Sequence, residues 1–325
     1  MSTPKIAFMF PGQGSQEVGM ASQAIAFSEA AKRDFEEGVE IASELLNLDI
    51  GRIMLKGPVE ELNDTRVAQP ATLIASKTGA TALRELLGRR EDLDVGHSFG
   101  HIAALHEGGY LEFEPAIKLA VDRGEAMYAA AQENPGSMAA VFNITRAKIH
   151  EIAEKYGVSV ANDNSDSEII ISGDDKGIKS AISAIKEAGG RAIPLKVKAA
   201  AHSPLVKLAA DRMAHLVESI PIHIHQEDIH IPENLKVMSS RTVEYLKDYT
   251  DIKADIAGLT ESVKWRQTFN RVLKEGYIEM YEPGPGTKLS KLPARAPIMR
   301  RKMERRGAHI NALENMLDEM GIKAA

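Results

Sequence analysis

The 325-residue sequence has no cysteine. That removes disulfides, zinc–thiolate sites and a cysteine nucleophile together, and it fits a reducing compartment. A long apolar run is also missing. After Met1-Ser2-Thr3-Pro4-Lys5 comes only the short run Ile6–Phe10, well below a secretory h-region with its cleavage site or a membrane span. A cytoplasmic protein with no membrane partner is therefore expected. Positive charge is not in excess either: the formal net charge is −6, and no long basic stripe offers itself to nucleic acid. The local exception, Arg295–Arg306, reads as a solvated helix face in preference to a polyanion site. No internal repeat or low-complexity linker interrupts the chain.

What is present is an ordinary globular composition, 44% hydrophobic and 26% charged, long enough for one large core and a smaller module. Ile6–Phe10 suits a strand buried on both faces, ended by the loop Pro11-Gly12-Gln13-Gly14-Ser15. Helical patterns run over Phe27–Leu46 and Ala71–Leu87. Another follows Pro115, with Ile117, Ala120, Val121 and Met127 at helical spacing.

From about Gly136 to Val197 the rhythm changes. Strand patterns at Met138–Phe142, Val158–Ala161, Ile169–Ser172 and Ala192–Val197 alternate with helical ones at Arg146–Tyr156 and Asp175–Ala188. That order is βαββαβ. The expected fold class is α/β: an α/β-hydrolase-like large domain with a parallel sheet, residues 1–134 and 198–325, carrying an inserted ferredoxin-like βαββαβ small domain, residues 135–197. Beyond His202 the patterns predict a helix to Ile220, a strand at Leu235–Ser239, a helix over Glu244–Thr260, a helix over Trp265–Gly276, a strand at Ile278–Tyr281 and an amphipathic helical tail from Ala308.

Gly96-His97-Ser98-Phe99-Gly100 is a G-x-S-x-G element between strand and helix patterns. A sharp strand-to-helix turn exposes a serine Oγ, and flanking glycines keep a crowded turn free of Cβ clashes. The Phe99 N–H then faces a developing oxyanion. A serine nucleophile needs a base. Of ten histidines, His202 sits in the loop Ala199-Ala200-Ala201-His202-Ser203-Pro204, after the last strand of the small module. By position alone the preferred reading is a histidine at a helix N-terminus with no role. Arg123, by pattern alone, reads as a surface helix arginine.

Together these segments resemble the malonyl-CoA:acyl-carrier-protein transacylases and the acyltransferase domains of polyketide synthases. The resemblance rests on Pro11–Gln16, Gly57–Leu62, Gln69-Pro70-Ala71, Gly96–Gly100, Arg123-Gly124 with Met127, Asn162, Ile171-Ser172-Gly173, His202–Leu205, Val263-Lys264-Trp265 and Glu282–Gly286, in order over Lys5–Leu292. It implies that Ser98 carries the acyl group and that His202 is the base. It further implies an oxyanion hole of the Gln13 and Phe99 N–H groups, and Arg123 pairing with the malonyl carboxylate. Gln69, Asn162, Ala201 and His101 would line the substrate site, and the Lys264 carbonyl would orient His202.

Two positions depart from the family pattern. The elbow commonly continues into Glu, where this chain has His101, read either as a change in substrate choice or water access or, at least equally, as a harmless change at the pocket edge. Phe or Ser commonly precedes the histidine, where this chain has Ala201, leaving room for an α-substituted malonyl group. The implied activity is ping-pong transfer of malonyl from malonyl-CoA to the phosphopantetheine thiol of an acyl carrier protein, in fatty acid or polyketide biosynthesis. No cofactor is implied, and a monomer is favoured. An acyl hydrolase using the same site, and a non-catalytic docking subunit, are the alternatives. His223, His225 and His230 suggest a metal cluster at first sight, but an edge strand with polar alternation explains them without one, and no metal is expected.

Overall fold

A computed structural model describes residues 3–195, 197, 199–223 and 235–323. Its strands, among the described residues, are β1 (Lys5–Phe10), β2 (Leu93–Gly96), β3 (Ser137–Phe142), β4 (Ser159–Asp163), β5 (Ile169–Gly173), β6 (Arg191–Pro194), β7 (Lys236–Met238), β8 (Tyr277–Glu282) and β9 (His309–Ala312). Five of them form one sheet in the order β7-β2-β1-β8-β9, with every pairing parallel. β1 is central, and its alternate residues enter different cores. Ile6, Phe8 and Phe10 pack among the helices Thr65–Leu87 and Phe113–Glu133. Ala7 and Met9 pack against Trp265 and Phe269 of the helix Trp265–Lys274. Burial on both faces is why this strand is uniformly apolar and not alternating.

The remaining strands form an antiparallel sheet in the order β4-β5-β3-β6. Its helices, Arg146–Tyr156 and Asp175–Glu187, cover one face through Ile149, Ile152, Ile178 and Ile185. The opposite face carries Met138, Ala140, Ala161 and Ile170, and Ala201 packs on it. Asn162 bridges Val263, so this sheet also abuts a loop of the larger unit.

Two expected elements differ. The helix expected over Glu244–Thr260 is confined to Tyr249–Ala257. Asp248 caps its start by accepting the Asp251 N–H, and the preceding chain instead turns back to bridge Met238 with Tyr245. The tail is not helical from Ala308: His309–Ala312 first pairs with β8, and the helix begins at Leu313. The sheet edge offers those residues backbone partners that a helix would not need. The Arg295–Arg306 stretch lies on the helices Leu292–Arg295 and Pro297–Glu304 and the turn after them. Among the described residues no helix is long and apolar enough to cross a membrane.

Candidate active site

The site gathers at the C-terminal ends of β1 and β2, where open parallel sheets present their loops. The chain leaves β2 at Gly96 and turns sharply into the helix Gly100–Glu107, with Ser98 in the left-handed region at φ 51°. Both glycines are required by space. A Cβ on Gly96 would lie 2.1 Å from the His101 nitrogen, and one on Gly100 would lie 2.2 Å from the Phe10 carbonyl. The Pro11–Gln16 loop comes as close: a Cβ on Gly12 would stand 2.6 Å from the His97 carbonyl oxygen and 3.5 Å from Ser98 Cβ. Strain at Ser98 is held by these contacts and by Ser240 Oγ, which donates to the Gly96 carbonyl at 2.8 Å.

His202 stands opposite, also at positive φ, 58°. Its Nε2 is 2.7 Å from Ser98 Oγ and its Nδ1 is 2.8 Å from the Glu261 carbonyl oxygen. A carbonyl only accepts, so Nδ1 carries the proton of the neutral ring. Nε2 is then the lone pair that accepts from the Ser98 hydroxyl. Burial, reinforced by the positive charge of Arg123, pushes the His202 pKa down to about 4. The imidazole is therefore neutral across the physiological range, with the Nε2 lone pair available to accept a proton.

The orienting carbonyl is that of Glu261 and not, as expected, that of Lys264. Lys264 precedes the helix Trp265–Lys274, and its carbonyl is taken by the Thr268 N–H at 3.0 Å and the Thr268 hydroxyl at 2.9 Å. A carbonyl aimed along a helix axis is not available to a ring beside it.

Arg123 is buried, 7% exposed, on the helix Phe113–Glu133 where it crosses Thr65–Leu87. It lines the same small cavity as Ser98, His101 and His202. Its Nη1 donates to Gln69 Oε1 at 2.9 Å, and its guanidinium lies over the Phe99 ring, 5.4 Å from the centroid. Among the described residues no carboxylate pairs with it, and burial pushes its pKa down to about 10. Gln69 thus holds the guanidinium, and its amide also reaches Gln13 Oε1 at 3.3 Å. The small cavity beside Ser98 is not lined by Gln69, Asn162 or Ala201. Asn162 bridges Val263 in the backbone, and Ala201 packs against Met138, Ala140, Ala161 and Ile170.

His101 does line the cavity, with its Nε2 2.7 Å from Asp255 Oδ2. Asp255, Arg241, Glu261 and Ser240 were not legible as site residues. They lie in segments with no motif and converge only through the fold. His97 Nε2 donates to Asn164 Oδ1 at 2.8 Å, joining the elbow to the smaller sheet unit. His223 has its N–H on the Tyr110 carbonyl, while His225 and His230 lie outside the described residues.

The sequence pattern of the family described as acyl transferase domain matches residues 7–279. The malonyl CoA-acyl carrier protein transacylase of Bacillus subtilis (strain 168) is 35% identical over 295 residues, 89% of each chain. That of Escherichia coli (strain K12) is 34% identical over 296 residues, covering 90% of this chain and 92% of the relative. Among solved structures, the malonyl-CoA:acyl carrier protein transacylase (FabD) of Xanthomonas oryzae pv. oryzae superposes with a TM-score of 0.85 at 28% identity, over 99% of this chain and 98% of that one. A malonyl-transacylase in complex with its type II polyketide synthase acyl-carrier protein gives a TM-score of 0.81 at 30% identity, over 95% and 94%. A family pattern that covers most of the chain, together with relatives at 34–35% identity over nearly its whole length, shows that the chain belongs to the acyl transferase domain family.

Proposed function

We propose that the protein transfers a malonyl group from malonyl-CoA through a Ser98 ester to the phosphopantetheine thiol of an acyl carrier protein. The observation that carries this reading is Arg123: a buried cation with no carboxylate partner among the described residues, lining one cavity with Ser98 and His202. A buried, unpaired guanidinium is costly unless the ligand brings the anion. A malonyl group ends in that anion, and an acetyl group does not.

In this mechanism His202 Nε2 takes the Ser98 proton as Oγ attacks the thioester carbonyl, and returns it to the departing CoA thiolate. It then deprotonates the carrier thiol, which attacks the ester, and hands that proton to Ser98 Oγ as it departs. The main-chain N–H groups of Gln13 and Phe99 form the oxyanion hole. In support, neither donates to an acceptor among the described residues. The second acceptor, water, would make the protein a hydrolase. The transacylase names of the relatives favour the thiol. CoA and the carrier arm are substrates, and the reaction needs no resident cofactor or metal.

We read the larger unit, residues 1–134 and 198–325, as α/β-hydrolase-like and residues 135–197 as ferredoxin-like, acting as a cytoplasmic monomer. Intact-mass measurement after brief mixing with malonyl-CoA, acetyl-CoA and methylmalonyl-CoA, followed by holo carrier protein, tests the function. A malonyl adduct absent in Ser98→Ala and passed to the carrier is expected. Loss of the adduct to water regardless of carrier would establish the hydrolase instead.

A further inference from the structure

Beside the Ser98–His202 pair runs a line of charged side chains. His101 Nε2 contacts Asp255 Oδ2 at 2.7 Å. Asp255 Oδ1 accepts from Arg241 Nε at 2.9 Å and from Ser239 Oγ at 2.5 Å. Arg241 Nη1 then donates to both carboxylate oxygens of Glu261, at 2.9 and 3.0 Å. Each end of this line meets the reacting pair. His101 follows Ser98 on the helix Gly100–Glu107. The Glu261 main-chain carbonyl accepts the His202 Nδ1 proton, and the Leu259 carbonyl accepts the His202 N–H at 3.1 Å.

The loop that supplies both carbonyls, residues 258–262, has no helix or strand of its own. Beyond it, Val263 is fixed to the smaller sheet through Ala161 and Asp163. On its near side it is held by Arg241. The side chain lies against Gly258 so closely that a Cβ there would stand 2.5 Å from Arg241 Cδ. The guanidinium fork then grips Asp255 behind the loop and Glu261 on it. Asp255 is the firm end of this grip: its side chain is 4% exposed, and its contacts with His101, Ser239 and Arg241 outweigh burial to hold its pKa at about 2.

We propose that Arg241 is a positioning residue for the base, fixing through Glu261 the carbonyl that orients His202. Asp255 anchors the guanidinium, and His101 ties Asp255 to the helix that begins just after Ser98. Nucleophile and base are thus kept in register by one charged strap. The Arg241–Glu261 contact is itself partly exposed, 19% and 54%, so it contributes little to global stability. Its effect is geometric, and small misplacement of a catalytic group costs rate steeply. This inference rests on the Ser98–His202 reading above.

The test uses full-length Arg241→Gln, Glu261→Gln and the double variant. Glu261→Gln removes the carboxylate but keeps the carbonyl. Single-turnover acylation by malonyl-CoA gives the limiting rate and the half-saturating concentration, and urea unfolding gives stability. Each single variant is expected to lower the limiting rate by roughly ten- to a hundredfold, with half-saturation within about twofold and no further rate loss in the double variant. The urea midpoint should stay near wild type in Glu261→Gln and fall in Arg241→Gln, which also leaves the buried Asp255 without its guanidinium. A rate within about twofold of wild type in either single variant, additive rate losses in the double variant, or rate, half-saturation and urea midpoint falling together in Glu261→Gln would each overturn the assignment. Failure of the wild-type enzyme to acylate would instead overturn the function itself, and this assignment with it.

Discussion

Replacing Arg123 by methionine keeps much of the side-chain volume and removes the charge. Burial lowers the arginine pKa to about 10 from its ordinary 12.5. At 1.4 kcal/mol per pKa unit, the folded protein carries roughly 3 kcal/mol of uncompensated desolvation. The group is charged in both folded and unfolded chains at neutral pH, so this cost is present in full. A substrate carboxylate that pairs with the guanidinium recovers an energy of that order, worth about a hundredfold in kcat/KM. Arg123→Met should therefore lose about a hundredfold with malonyl-CoA and change little with acetyl-CoA, compressing the preference between them. Without substrate, the variant should gain stability. Relief of roughly 3 kcal/mol is offset by about 1–2 kcal/mol for leaving Gln69 Oε1 without its donor, a net gain of about 1–2 kcal/mol in urea unfolding. An equal loss for both donors would show that Arg123 shapes the site without reading the carboxylate. A drop in stability would show that the desolvation reasoning is wrong.

Four further outcomes follow from the same geometry. The acid limb of kcat/KM should fall near pH 4, because His202 in the free enzyme is held at about 4, and a limb near pH 6.5 would refute that burial. The same group makes the folded protein bind fewer protons than the unfolded chain between pH 6.5 and 4. Stability should therefore fall as pH drops through that window, by roughly 3 kcal/mol in total, with a shallower slope in His202→Asn. Ser98→Gly should abolish acylation yet stabilise the protein by about 1 kcal/mol, since φ 51° costs a serine and not a glycine; calorimetry showing a lower Tm would contradict the strain. His101→Glu, which restores the residue common in the family, should destabilise the protein by roughly 3 kcal/mol. It would set a second carboxylate against the buried Asp255, and an unfolding curve matching wild type would refute that pairing.

Local signals announced much of this protein. The uniformly apolar Ile6–Phe10 had to be a strand buried on both faces, and it lies at the centre of the sheet. The Arg146–Tyr156 helix and the antiparallel strands around it were legible because period, length and turn residues agree over short distances. The glycines around Ser98 announced a turn too tight for side chains, and the clashes a Cβ would meet there give the reason. His202 was one histidine among ten, separated from Ser98 mainly by the smaller unit, and the resemblance singled it out. The expected helix over Glu244–Thr260 and the expected helical tail failed where backbone pairing with a distant strand outweighed local periodicity.

By itself, then, the sequence determined the tight turn at Ser98 and most of the strand and helix elements, because these depend on neighbouring positions, whereas His202 and Arg123 stood out only through the family resemblance. Tertiary structure alone decided which carbonyl orients His202, that Arg123 is buried without an acidic partner among the described residues, and that His101, Asp255, Arg241 and Glu261 form one line beside the reacting pair. Those contacts join residues up to about a hundred and fifty positions apart. A main-chain carbonyl has no side-chain identity by which it could be recognised, and an ion pair across such a distance leaves no period in the chain.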